Sequence, residues 1–157
     1  MRMRKTLFIL MFTSGLLAKQ SIVYFYVIPF DNIKDDPTVE WIASGLSDMI
    51  SNRFKSEPGL LIQNKKDLEI IMNDRSLMLK QPIASRNLLL LGKYYRQLEK
   101  INVSLQLIDL ATWDQIETKD IAAEYSDITK MKKEIGDNLQ SMIAPYLPKG
   151  KNQIDRK

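Results

Sequence analysis

The sequence predicts a single α/β domain, a mixed sheet that finishes in a carboxy-terminal antiparallel meander and is packed by about three helices. Three observations carry that prediction. Ile22 to Phe30 is a continuous apolar, β-branched and aromatic run, as expected of a central strand covered on both faces. Between Leu88 and Ala123, Leu88–Leu91 opens a strand and Val103, Leu105 and Leu107 alternate with Asn102, Ser104 and Gln106, as expected of a meander with one wet face. Thr38–Lys55 and Ile128–Ala144 carry apolar residues at helical spacing. A chain of 157 residues, 45% of them apolar, is the size of one ordinary domain and can bury a core.

The amino terminus reads as an address. Arg2, Arg4 and Lys5 precede an apolar run from Thr6 to Leu17, too short to cross a membrane core but suited to the apolar region of a signal peptide. Ala18 is the expected cleavage residue and Lys19 the first mature one. A retained anchor and a buried first helix are the other readings of the same residues. The expected division is 1–18 signal peptide, 19–147 α/β domain and 148–157 polar tail, with the mature protein in the periplasm.

In the mature chain, Pro29 offers no ladder donor, so pairing of the first strand should stop near it. Asp31, Asn32, Asp35, Asp36 and Pro37 then form a turn-rich loop. Pro37 suits the first turn of a helix whose stripe is Trp41, Ile42, Leu46, Met49, Ile50 and Phe54. Leu60–Leu61–Ile62 is a short second strand. Asn64, with Asp67 three residues on, reads as a helix cap ahead of the stripe Leu68, Ile71 and Met72. Ser76–Arg86 has helix-like parts broken by Pro82 and takes no firm assignment. Leu88–Tyr95, the alternating stretch around Val103, Leu105 and Leu107, and Gln115–Ala123 form the meander. Ile128, Met131, Ile135, Leu139 and Met142 mark the last helix, which ends near Pro145.

Composition removes whole classes of chemistry. The chain has no cysteine and no histidine, so thiolate nucleophiles, imidazole bases and nearly every zinc or haem ligand set are absent. A lipoprotein signal needs a cysteine, so no lipid anchor is expected. The net charge of +4 is carried by the two ends: Lys19 to Leu147 holds 16 basic and 18 acidic residues. Nucleic-acid binding needs clustered positive charge on the domain itself, and none is expected here. There is no glycine-rich phosphate loop, so no cofactor is expected.

Val27–Ile28–Pro29–Phe30–Asp31–Asn32 runs through Asp36–Pro37 into Glu40–Trp41–Ile42–Ala43–Ser44–Gly45–Leu46–Ser47–Asp48. This pattern resembles the opening of the TolB amino-terminal-domain-like superfamily, the group of CsgG-, LpoB- and FlgO-type envelope assembly proteins. Leu91–Gly92–Lys93–Tyr94 followed by Ile101 to Asp109 is similar to a second stretch of that family. The resemblance spans about residues 21 to 147 and implies an α/β domain for envelope assembly without catalytic chemistry. The chain lacks the lipidation cysteine of some members and carries neither the β-propeller nor the tetratricopeptide repeats that accompany the domain in others.

Each candidate site has a plainer reading. Asp31, Asp35 and Asp36 could hold a hard cation, but an EF-hand needs a glycine and a terminal glutamate that are missing; the plainer reading is that they turn the chain and cap a helix. Ser44–Gly45–Leu46–Ser47 has no base to activate a serine, and Gly45 reads as a close-packing position. Tyr24, Phe25, Tyr26, Tyr94 and Tyr95 read as core and sheet surface rather than a base-stacking platform. The expectation is therefore a non-enzymatic interaction module with envelope proteins as partners, a second copy of itself being one candidate. Its contact surface would be a sheet edge or the loop residues Asp31, Asn32, Asp35 and Asp36. The alternative is a subunit of a curli-type outer-membrane secretion assembly, which would need membrane hairpins of about 10 residues per strand.

Overall fold

The computed structural model describes residues 21–148. The signal peptide 1–18 and nearly all of the tail 148–157 lie outside the described residues.

The apolar run becomes β1, Val23–Val27, whose two faces enter two separate cores. Val23, Phe25 and Val27 join the larger one, and Tyr26 joins the smaller one with Tyr24 and Ile28 packed against it. Both edges of β1 are also paired, in parallel, with β3 (Leu60–Gln63) and with β4 (Arg86–Gln97). This central position explains why the run lacks alternation.

Pairing does not stop at Pro29, as expected, but pauses. The chain resumes as the two-residue strand β2, Asp31–Asn32, which pairs with Lys93 and Tyr94 of β4. From Val27 to Asp31 is four steps, whereas their partners Leu90 and Lys93 are three apart, so one extra residue is looped out around the proline that cannot donate. The ring of Phe30 lies on Gly92, where any Cβ would collide with it.

The first helical segment begins as a 3₁₀ turn, Pro37–Val39, and continues as α1, Trp41–Phe54. Pro37 occupies the first turn and the Asp36 side chain caps it. Ile42, Leu46, Ile50 and Phe54 are buried as the stripe predicts, and Met49 is partly so. Trp41 departs from the stripe: it is 46% exposed, because it opens the helix beyond the sheet. Gly45 also departs from its reading. The nearest atom to a Cβ built there is a Trp41 ring carbon at 3.8 Å, an ordinary contact, so no close packing requires a glycine.

Next comes α2, Lys65–Asn73, which opens with the expected capping box between Asn64 and Asp67. Ile71 is buried and Leu68 packs on the smaller core, but Met72 is exposed. The unassigned stretch holds a single helical turn, α3, Ser76–Leu79, and Gln81 is tied to the buried Asn87 by paired amide hydrogen bonds of 2.7 and 3.2 Å. Tyr26 donates to the same Asn87 at 3.2 Å, and burial pushes its phenol up to about 12.

The meander is β4, β5 (Lys100–Asp109) and β6 (Gln115–Glu124), all antiparallel neighbours, so the sheet order is β3-β1-β4-β5-β6 with β2 beside β4. The last helix, α4, Ile128–Ile143, is capped by Asp127 and buries Met131, Ile135, Leu139, Met142 and Ile143. Helices α1 and α4 cover one face of the sheet with the larger core between; α2 and α3 cover part of the other. The α/β architecture with a mixed sheet and a terminal meander is as the sequence predicts, with four helices among the described residues in place of about three. Among the described residues, no helix is long and apolar enough to cross a membrane.

Two neighbouring substitutions in α1 should move stability in opposite directions. Leu46→Ala removes a fully enclosed side chain and should cost about 2–5 kcal/mol. Gly45→Ala fills ordinary contact space inside a helix and should stabilise by about 0.5–1 kcal/mol. Chemical denaturation of both variants checks the pair.

Candidate functional site

The loop from Asp31 to Asp36 is held by its own polar side chains. Asn32 is only 8% exposed, and its Nδ2 donates to the Asp36 carbonyl at 2.8 Å and to Glu40 Oε2 at 3.1 Å. The Asp36 carboxylate accepts from the Thr38 amide at 2.9 Å and from the Thr38 hydroxyl at 2.7 Å. Those two bonds hold its pKa below the usual 3.8. The buried Tyr94 ties the next turn down by donating its hydroxyl to the Val39 carbonyl at 3.1 Å. Burial, with Glu40 nearby, raises the Tyr94 pKa.

The four candidate contact residues therefore divide. Asn32 and Asp36 build the loop, while Asp31 and Asp35 face water. Asp35 sits at φ 49, in the left-handed region that Asp tolerates better than most residues, and its amide closes the turn on the Asn32 carbonyl at 3.1 Å. Among the described residues, no group of three or more acidic side chains is placed to hold a metal ion. In α1 the Ser47 hydroxyl donates to the Ser44 carbonyl at 2.9 Å, an ordinary backbone contact within the helix.

The residues that sequence reasoning passed over are Ile33 and Lys34, between the aspartates. Ile33 is 51% exposed although its amide is fixed to the Tyr94 carbonyl at 3.0 Å. Lys34 places its ammonium 4.5 Å from the centre of the Tyr95 ring. Ile33 overhangs the meander face that α2 and α3 leave bare, forming with it a groove of about 420 Å³. Lys93, Tyr95, Asn102, Ser104, Asp120 and Ala122 line it. Small and mid-sized residues at Ser104, Asn102 and Ala122 make its floor, with Lys93 and Asp120 supplying opposite charges. The alternation around Val103 marks these positions as a wet face; only the fold shows that Ile33 roofs one side of it.

The edge of the sheet offers less. Glu117 and Lys119 of β6 stand opposite Leu107 and Leu105, hence on the core-facing side, and pair with each other at 3.1 Å. Inward-pointing charge on an edge strand discourages the addition of another strand. Edge strand β3 is only four residues long.

The chain matches no protein-family model, and no curated protein is significantly similar to it. Solved structures do resemble it. TolB from Acinetobacter baumannii superposes with a TM-score of 0.53 at 16% identity, over 82% of this chain and 30% of TolB. The likeness is one of fold. This chain thus spans less than a third of the length of that TolB. The PelC dodecamer from Paraburkholderia phytofirmans gives a TM-score of 0.44 at 15% identity, over 85% of this chain and 92% of that one. The LpoB carboxy-terminal domain from Salmonella enterica gives 0.41 at 11% identity, over 71% and 87%.

The loop predicts an acid response. Since the folded pKa of Asp36 is depressed, its cap is fully present above the unfolded value and is lost as pH falls through the folded one, below 3.8. Asp74, capping Ser76, and Asp137, between Lys133 and Arg53, are shifted in the same direction. Melting temperature measured from pH 6 to pH 2 should fall most steeply below 3.8, and Asp36→Asn, which keeps a cap but cannot titrate, should fall less steeply. Equal slopes would show that the Asp36–Thr38 bonds are not maintained in solution.

Proposed function

We propose that this protein is an exported, non-enzymatic interaction module that supports assembly of a cell-envelope complex. Its docking surface is the groove under Ile33, together with the outward side chains of the Asp31–Asp36 loop. The observation that carries this reading is the uncovered half of the sheet: among the described residues no helix lies over the half-buried Tyr95, Asn102 and Ser104, beside an Ile33 whose amide is fixed to Tyr94. A partner segment laid in the groove would cover Ile33 and meet Lys93 on one side and Asp120 on the other. That choice favours the loop over the sheet edge, which Glu117 and Lys119 guard.

Export rests on residues 1–18, read as a cleaved signal peptide delivering the protein to the periplasm. The envelope role rests on the resemblance carried by Val27–Asp48 and Leu91–Asp109, and the shared fold with TolB is compatible with it. The non-enzymatic character rests on the absence of histidine and cysteine. The curli-type pore reading is the weaker one, because the apolar face of β4, β5 and β6 is already buried beneath α4 and α1 and is not free to face lipid.

The test compares Ile33→Ser/Lys93→Glu with the unaltered protein. Both side chains are exposed, so stability should stay within about 0.5 kcal/mol. Capture of envelope proteins by the variant should fall at least about tenfold, which corresponds to 1.4 kcal/mol of binding free energy. Equal capture by a well-folded variant would dismiss the groove, and saturable turnover of a substrate by the purified protein would dismiss the non-enzymatic reading. If the partner is a second copy, the same variant shifts the sedimentation profile from dimer to monomer.

A further inference from the structure

The opposite end of the sheet carries a second set of exposed apolar residues, and the chain enters and leaves the domain there. Ser21 and Pro148, the first and last described residues, both lie against Gly59, and the Val23 amide donates to the Gly59 carbonyl at 2.8 Å. Arg86, at the start of β4, donates its amide to the Ile22 carbonyl at 2.9 Å and sets its guanidinium 5.3 Å from the Tyr146 ring centre. Around this point Leu79, the last residue of α3, is 87% exposed, and Ile83, on the connection from α3 to β4, is 89% exposed. Ile83 is raised on a turn closed by the Ser85 amide on the Pro82 carbonyl at 2.8 Å. It shares a surface hollow with Ala111 of the β5–β6 turn.

Trp113 projects from that same turn, 44% exposed, with Arg75 5.7 Å from its ring centre. Arg75 is itself fixed to the Leu110 carbonyl at 2.9 Å. The backbone of Trp113 has φ 66, a left-handed conformation that is costly for a bulky side chain. A tryptophan held 44% exposed at such a cost, at the end of the sheet that also carries Leu79 and Ile83, does not serve the core.

The charges around it are balanced on the domain and unbalanced on the adjoining sequence. The same end of the domain holds Arg75, Lys80 and Arg86 and, in equal number, Asp74, Asp109 and Asp114. Asp74 is engaged by Ser76, and Asp109 by the Ala111 amide and by Arg86 at 3.5 Å. The sequence joined at Pro148 adds Lys149, Lys151, Arg156 and Lys157 against Asp155 alone. Separate apolar tips, an interfacial tryptophan and adjoining basic residues are what a lipid headgroup layer accepts. Aliphatic tips enter the acyl boundary, the indole sits at headgroup level, and Lys and Arg are drawn to anionic phosphates.

We propose that the end of the domain bearing Leu79, Ile83 and Trp113 is a membrane-facing surface that seats on an anionic phospholipid layer. The groove under Ile33 lies at the far end of the sheet, so the seated domain turns it away from the membrane. This inference goes beyond the partner reading and can fail independently of it.

The two tryptophans provide the test, because Trp41 lies at the opposite end, where α1 begins. The mature chain, residues 19–157, carrying Trp41→Phe reports Trp113 alone, and the same chain carrying Trp113→Phe reports Trp41 alone. Each is mixed with vesicles of phosphatidylglycerol and phosphatidylcholine, with and without bromine on the acyl chains. Trp113 emission should shift to the blue and be quenched by brominated lipid at least twofold, while Trp41 emission stays unchanged. Adding Leu79→Ser/Ile83→Ser to the Trp113 reporter should abolish most of the quenching without lowering the melting temperature, since both side chains stand in water. Unquenched Trp113, equal quenching of both tryptophans, or quenching indifferent to Leu79→Ser/Ile83→Ser would each overturn the proposal. A concentration-dependent blue shift of Trp113 without lipid would also overturn it, assigning this end to self-association.

Discussion

Strand β1 is hydrogen-bonded along both edges and covered on both faces, and most of the fold is placed by one of those contacts. Its parallel pairing with β4 sets where the meander starts, and its pairing with β3 ends the sheet on the other side. Val23, Phe25 and Val27 give α1 and α4 a surface to cover, and Tyr24 and Tyr26 give α2 and α3 another. A strand in that position must leave no donor unmet and no polar side chain stranded. The one hydroxyl it buries nearly completely, on Tyr26, is met by Asn87.

The same constraint makes the candidate groove. Pro29 cannot donate to a ladder, so the chain bulges out at that point and returns as β2. Phe30 then needs a place for its ring, and Gly92 of β4 is the only residue type that leaves room for it. From there Asn32, Asp36 and Tyr94 fasten the next residues, leaving Ile33 and Lys34 to lean outward over a polar sheet face. An apolar side chain on a fastened loop above a concave polar surface suits the proposed docking role, because little ordering of the loop would remain to be done on binding.

The two proposed surfaces lie at opposite ends of the strands. One end holds the groove and the Asp31–Asp36 loop; the other holds the chain exits, Leu79, Ile83 and Trp113. Between them α1 and α4 are joined by Arg53, which crosses Gly136 to reach Asp137 at 2.7 Å. Both partners of that ion pair are partly exposed, so its contribution is small, and Gly136 leaves the space through which the Arg53 side chain passes.

The sequence by itself determined the elements. Unbroken apolarity from Ile22 to Phe30 marked a strand buried on both sides, and alternation around Val103 a half-wet one. Asn64 with Asp67, and Pro37 behind Asp36, marked helix starts, because capping is satisfied by residues a few positions apart. Properties that depend on distant neighbours were illegible. Nothing in the pattern distinguished Trp41 from the stripe it belongs to, or Gly45, which packs against nothing, from Gly92 and Gly136, which other side chains overlie. Asn32 and Asp31 read alike in a polar loop, yet pairing beside β4 buries one and exposes the other. The groove needed Ile33 brought over Tyr95 and Ser104, and the exposed end needed Ile83 brought beside Ala111. Spacing along a chain reports which way a side chain points within its own element; what it meets there is decided only when elements from distant parts of the sequence come together.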